Sequence, residues 1–322
     1  MTDRPPRRRR SRRRWLLGLG ALGLAAVLVG VASISTNTLG AGNLFDRAVA
    51  KVDRFLAGPV PERSAPATVL VTAPPDAAVD PDDQTPTPSA TALPSDGTSP
   101  SLTPVPAPPA PPAPARVPVD VDVVEDHNAV FAHEIKNTWC AAAGVQMTLA
   151  VLGLKDNSKA FQRELQGRVR EWESFSDSHN GDWGPGAMAL ALDAYGAKGY
   201  QVRAYQTRQG ALRDAAKAIE KTGSPVLLLA WYGAHTWVMT GFRADADPAV
   251  FSNAKITGTY ILDPWYPTIS SIWGPSDPPG TFQNNAEMIR NYLRWKRPEG
   301  KYPARDGVYI AVVPTIKAAS VH

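Results

Sequence analysis

NTWCAAAGVQMTLAVLG, residues 137–153, carries the single cysteine of the 322-residue chain at the point where a polar turn becomes an apolar run. Val145, Met147, Leu149, Val151 and Leu152 among alanines predict a largely buried helix, with Asn137 or Thr138 as N-cap and Gly153 as stop. With Thr138 as the cap, Cys140 falls in the first turn. Unpaired backbone N–H groups and the positive end of the helix dipole favour a thiolate there. Taken alone, a cysteine in an alanine-rich helix reads as a small buried hydrophobe. The residues downstream change that reading.

Helical spacing continues in SKAFQRELQGRVREWESF (158–175), in GPGAMALALDAYG (184–196), with Pro185 in a first turn and Gly196 past the last, and in GALRDAAKAIEKTG (210–223). GYQVRAYQT then reads as a strand. PVLLLAWYG, HTWVMTGFR, ITGTYILDP and GVYIAVVPT are short apolar or β-branched runs broken by Gly, Pro and Asp, as expected of one antiparallel sheet. NNAEMIRNYLRWK (284–296) is a helix between the last two. Residues 119–322 are therefore expected to form one α+β domain, its helical front half packed on a strand-rich back half.

His235 lies in GAHTWVMTG and Asp263 in YILDPWYP, on two strands joined by a polar loop. If the hairpin turns near Ala249, the two residues face each other directly, with Cβ atoms about 4.5–5.5 Å apart. A one-residue slip would send them to opposite faces. A lone strand histidine is usually structural, and Asp before Pro is a common turn signal. The conjunction is what matters: a cysteine opening a helix, then a histidine in a strand, then an aspartate ending the next strand. Those are the components of nucleophilic catalysis by a thiol, a base and a group that orients the base.

NTWCAAAGVQMTLAVLG, GPGAMALALDAYG, GSPVLLLAWYGAHTWVMTGF and ITGTYILDPWYP together resemble the papain-like cysteine peptidase fold of the bacterial family typified by the double-glycine leader-cutting domains of bacteriocin exporters and their stand-alone relatives. The resemblance spans about residues 133–267. It implies Cys140 as nucleophile, His235 as general base and then acid, Asp263 as the orienting residue, a peptide or protein as substrate, and no cofactor. Two positions depart from the family. The Gln usually found six residues before the cysteine is Glu134, an acceptor when ionised, and the familiar Cys-Gly-Pro is Cys-Ala-Ala. Asn137 is then the candidate side-chain oxyanion donor. No G-x-x-x-x-G-K-[ST] motif accompanies these residues, which argues against an exporter role.

Trp139, Trp237 and Trp265 are candidates to line a peptide groove, and WYPTISSIWGPSDPPG (265–280) is either part of that groove or a loop pinned by its tryptophans. His127, His133 and His179 are expected to be solvated or supporting. Two further readings stand beside the peptidase. One is a catalytically silent peptide-binding domain on the same fold. The other is a thiol hydrolase or acyltransferase working on cell-wall peptides.

Before the domain come three segments of other composition. Residues 1–14 hold eight arginines, and no charge follows from Trp15 until Asp46. The tail is expected in the cytoplasm and 15–35 as a transmembrane signal anchor, which places the domain outside the cytoplasm. The alternative is a secreted form cut after Ser33. Within the head, SRRRWLL (11–17) also resembles a twin-arginine export signal. Residues 44–58 read as an amphipathic juxtamembrane helix or an incidental stub. Residues 59–118, with most of the 31 prolines, read as a disordered linker or extended spacer, roughly 190 Å long at about 3.1 Å per residue and able to reach into a cell-wall layer.

The formal charge of +4 belongs to the tail. Beyond residue 14 there are 26 basic and 29 acidic groups, which argues against nucleic acid as a partner. One cysteine excludes an internal disulfide and argues against a structural zinc site.

Overall fold

The computed structural model describes residues 31, 41–72, 114–270, 272–296, 302 and 305–317. The chain divides into two units, residues 1–59 with 136–138, and residues 60–135 with 139–322. The basic tail and, apart from Val31, the expected anchor 15–35 lie outside the described residues. Among the described residues no helix is long and apolar enough to cross a membrane. In the first unit the alternating segment forms helix α1 (Ala41–Leu56). Phe45, Val52, Phe55 and Leu56 recur on one side of it and are exposed.

The second unit runs β1 (Val69–Val71), β2 (Val119–Asp122), α2 (His127–Val130), α3 (Cys140–Val151), α4 (Lys159–Gly167), α5 (Pro185–Ala194), β3 (Tyr200–Tyr205), α6 (Arg208–Thr222), β4 (Val226–Ala230), β5 (His235–Ala244), β6 (Ile256–Leu262), β7 (Ile269–Ser270), β8 (Gly274–Pro275), β9 (Thr281–Asn284), α7 (Asn285–Asn291) and β10 (Tyr309–Pro314). The main sheet has the order β1-β3-β10-β4-β5-β6-β9, with β2 also on β5. Its pairs are antiparallel except β1 on β3. The result is a mixed α/β domain around one large sheet.

The sheet is covered on both faces, which corrects the expectation of a helical half laid against a strand half. Leu227, Leu229, Ile310, Val312, Val202 and Ala204 join the α3 to α5 core. The alternate residues Val226, Leu228, Ala230, Tyr309, Ala311 and Val313 join a second core with Leu212, Ile219, Met288 and Tyr292 of α6 and α7. That period of two explains why β4 and β10 are apolar without alternation: each buries both of its faces.

Residues 60–72, at the start of the expected linker, are held on the domain. The Phe175 N–H donates to the Pro61 carbonyl, Arg63 donates to the carbonyls of Glu171 and Arg170, and Val69–Val71 pair with Arg203–Tyr205. Proline-poor TVLV within a proline-rich tract is short enough to be lost in its composition, yet β-branched enough to add an edge strand.

Candidate active site

Helix α3 begins at Cys140, with Trp139 as N-cap and no side-chain cap, so the predicted caps Asn137 and Thr138 lie outside it. Cys140 is half-buried and unpaired by any disulfide. Its helix can lie this close to the sheet because of Gly144, one turn on. A Cβ at Gly144 would stand 2.7 Å from Thr236 Cγ2, on the residue after His235. The backbone contact between helix and strand thus fixes thiol and imidazole to neighbouring positions.

The β5–β6 ladder pairs Val238 with Leu262 and Ala244 with Ile256, so the loop centres on Val250 rather than Ala249. Two bulges, an extra Thr240 on β5 and an extra Thr257 on β6, cancel each other. Continued one step, the ladder sets Trp237, not His235, opposite Asp263. This corrects the predicted pairing by two residues, and a shift of two preserves the face. His235 reaches Asp263 diagonally, with Nε2 2.7 Å from Oδ1.

His235 is 3% exposed and Asp263 6%. The same Asp263 Oδ1 accepts the Trp265 N–H at 2.9 Å, which fixes the carboxylate as it holds the ring. Since Nε2 is engaged by Asp263, Nδ1 is the ring nitrogen left to act on the Cys140 thiol. Burial pushes the thiol pKa up, but the bond and charge of His235 and the N–H and hydroxyl of Thr236 outweigh it, so the thiol lies below its ordinary value. Burial likewise pushes His235 down, and the Asp263 carboxylate with the thiol outweighs it, so the imidazole lies well above its ordinary value. The arrangement favours a thiolate beside an imidazolium.

The short connection between β4 and β5 keeps the ring in plane. Trp231 (φ 51°), Tyr232 (φ 61°) and Gly233 (φ 79°) are successive left-handed residues, an arrangement that non-glycine side chains rarely adopt. It stacks Trp231 on His235 with ring centres 4.1 Å apart, Trp273 on Trp231 at 5.5 Å, and brings Trp265 edge-on to the imidazole at 6.2 Å. Trp231, Thr236 and Gly144 escaped the sequence reading, and Trp273 entered it only as part of the stretch 265–280. The signal for the tryptophans was their density around His235 and Asp263.

The three groove tryptophans fare differently. Trp265 is half-buried against the imidazole, and Trp139 is half-buried beside the α3 to α5 core. Trp237 is 3% exposed and is packed into the second core with Met239. It lines no groove. Asn137 falls within 136–138, in the first unit, and the structure assigns it no place relative to the thiol. His133 Nδ1 donates to the carbonyls of Pro264 and Tyr266, fastening the segment before α3 to the turn after β6. His127 pairs with Asp122, and His179 stacks on Phe175.

Glu134 differs most from its reading as an ionised acceptor. It is 1% exposed, neither carboxyl oxygen has a hydrogen-bond partner, and burial with the Cys140 charge raises its pKa well above the usual carboxylate range. Among the described residues, His, Cys, Asp and Glu nowhere gather in the threes or more that a metal ion would need.

No protein-family model matches the chain, and no curated protein matches it. Among solved structures, the chain is similar to a crystal structure of a double glycine motif protease from an AMS/PCAT transporter in complex with the leader peptide. The match has 17% identity and a TM-score of 0.30, and covers 57% of this chain and 91% of that one. At that TM-score the likeness is too slight to assign a fold or an activity.

Proposed function

We propose that the chain is a thiol peptidase of papain-like fold, tethered to a membrane and acting outside the cytoplasm, with Cys140 as nucleophile, His235 as base and then acid, and Asp263 as the orienting group. The observation that carries the reading is the buried His235–Asp263 pair, with Nε2 2.7 Å from Oδ1, on the strand that packs against the helix opened by Cys140. The thiolate attacks a peptide carbonyl and His235 protonates the departing amine. Water, deprotonated by His235, then releases the acyl group. Asp263 keeps Nδ1 directed at the sulfur throughout. Tethering rests on the arginine-rich tail and the apolar run 15–35.

Alkylation of the full-length protein by iodoacetamide, compared with His235→Ala, tests the assignment. Loss of the imidazole is expected to slow alkylation at pH 6 by about 10²-fold, the scale of an acid–base partner. Equal, slow labelling in both proteins refutes the peptidase and leaves a silent binding domain. Cleavage assays on peptides and on isolated wall material separate peptide hydrolysis from wall-directed acyl transfer.

A further inference from the structure

Glu134 is fixed before its side chain is considered. Its N–H donates to the Pro264 carbonyl at 3.0 Å, and the next N–H, of Ile135, donates to Gln162 Oε1 at 2.7 Å. Gln162 is itself held by the His133 carbonyl and by Gln146. The carboxyl group is thereby committed to a buried position where neither oxygen meets a donor or acceptor. Buried polar groups without partners are rare and ask for an explanation.

The charged groups whose fields reach it are Cys140 at the start of α3, His235 at the start of β5 and Asp263 just past β6, the residue before the Pro264 carbonyl that holds its N–H. The thiolate and the Asp263 carboxylate both oppose a negative charge on Glu134, and only His235 favours one. Burial opposes it most of all. These surroundings favour the protonated carboxyl, which has one O–H to donate. What it lacks is an acceptor, and the reaction proposed above creates one.

We propose that Glu134, as a carboxylic acid, donates its O–H to the oxyanion formed when Cys140 attacks a carbonyl. The inference rests on Cys140 being the nucleophile. In the addition step the S–C bond forms and the carbonyl π pair moves onto oxygen, where the Glu134 hydrogen bond meets the charge without giving up its proton. Collapse restores the carbonyl and breaks the bond to the leaving group. The N–H groups at the first turn of α3 supply the remaining donors. Ionised, Glu134 would instead set a negative charge against the oxyanion, so this donor is lost on the alkaline side.

Two probes on the full-length protein separate the roles. Iodoacetamide alkylates a thiolate by direct displacement, with no oxyanion, whereas p-nitrophenyl acetate acylates it through one. Glu134→Met, which fills the space without a donor, is expected to lose about 10²-fold or more in acylation and to alkylate as the wild type does. Glu134→Gln, whose amide N–H replaces the O–H, is expected to retain acylation and to keep it at high pH, where the wild type declines. Wild-type acylation by Glu134→Met, or the same alkaline decline in Glu134→Gln as in the wild type, overturns the inference. The second comparison stands even where Glu134→Met does not fold. Alkylation indifferent to His235 would instead remove the underlying nucleophile assignment, which is a separate result.

Discussion

Replacing Gly144 by alanine puts a methyl group where helix and sheet have no room for it. The added carbon would lie 2.7 Å from Thr236 Cγ2 and 3.4 Å from Leu227 Cδ2, whereas carbon atoms settle at about 3.5–4.0 Å. Thr236 is 1% exposed and β-branched, and its hydroxyl supports the thiol, so it cannot turn aside without giving up that bond. Helix α3 must therefore move off β5 by about 1 Å, and a misplacement of about that size at a reacting pair costs roughly 10²-fold in rate.

Stability should change far less. Overpacking costs about 1–3 kcal/mol, and alanine recovers about 1 kcal/mol of helix propensity over glycine, leaving a net loss of about 0–2 kcal/mol. The assay is p-nitrophenyl acetate acylation beside urea unfolding. Thr236→Ser supplies the control, because it keeps the hydroxyl and removes Cγ2. The nearest atom of residue 236 is then its Cβ, at 3.5 Å, an ordinary contact. Gly144→Ala/Thr236→Ser should recover most of the lost rate, giving a strong coupling between the two changes. Wild-type reactivity in Gly144→Ala, or no recovery in the double variant, would refute the claim that this contact sets the thiol–imidazole geometry.

Two further outcomes follow from the described contacts. The lowered thiol and raised imidazole mean that thiolate is present below the ordinary cysteine range and persists above it, so alkylation should already be fast at pH 6; Asp263→Asn removes the charge that raises His235 and should move the onset of alkylation to higher pH. Arg305→Ala strands the Asp177 carboxylate, which is 2.5 Å from the guanidinium and also accepts the Gly186 and Ala187 N–H groups at the start of α5; urea unfolding should show a loss of about 3–5 kcal/mol, the scale for breaking a buried pair, and a loss below about 1 kcal/mol would contradict it.

Local pattern made α3, α5, α6 and strands β3 to β6 legible, because each is a distinct apolar or amphipathic run bounded by its own stop residues. What could not be read locally depended on a second element. Trp237 looked like a groove residue, but packing against a second element encloses it with Met239 in the second core. The predicted Ala249 turn missed two bulges whose effects on register cancel. Glu134 was read as an ionised acceptor because sequence gives a residue type and not its dielectric surroundings. Only the enclosure around it, built from α3, β5 and the turn after β6, decides that it stays protonated. The candidate nucleophile and its partner could be named because a cysteine at a helix start and a histidine at a strand start are positional facts.

The edge strand β1 also settles where the domain bears load. Under the proposed tether, tension on the chain entering the domain would be taken up between Pro61 and Val71, through Arg63, the Pro61 carbonyl and the parallel pairing on β3, and would act on β1 in shear. Thr72 is the last described residue before the tract, and on its far side Arg116 pairs with Asp245 and Val119 with Ala244. Both ends of the proline-rich tract are fixed to the same body. Its length therefore adds nothing to the reach of a tether, and insertions or deletions within 73–113 would leave the force path unchanged.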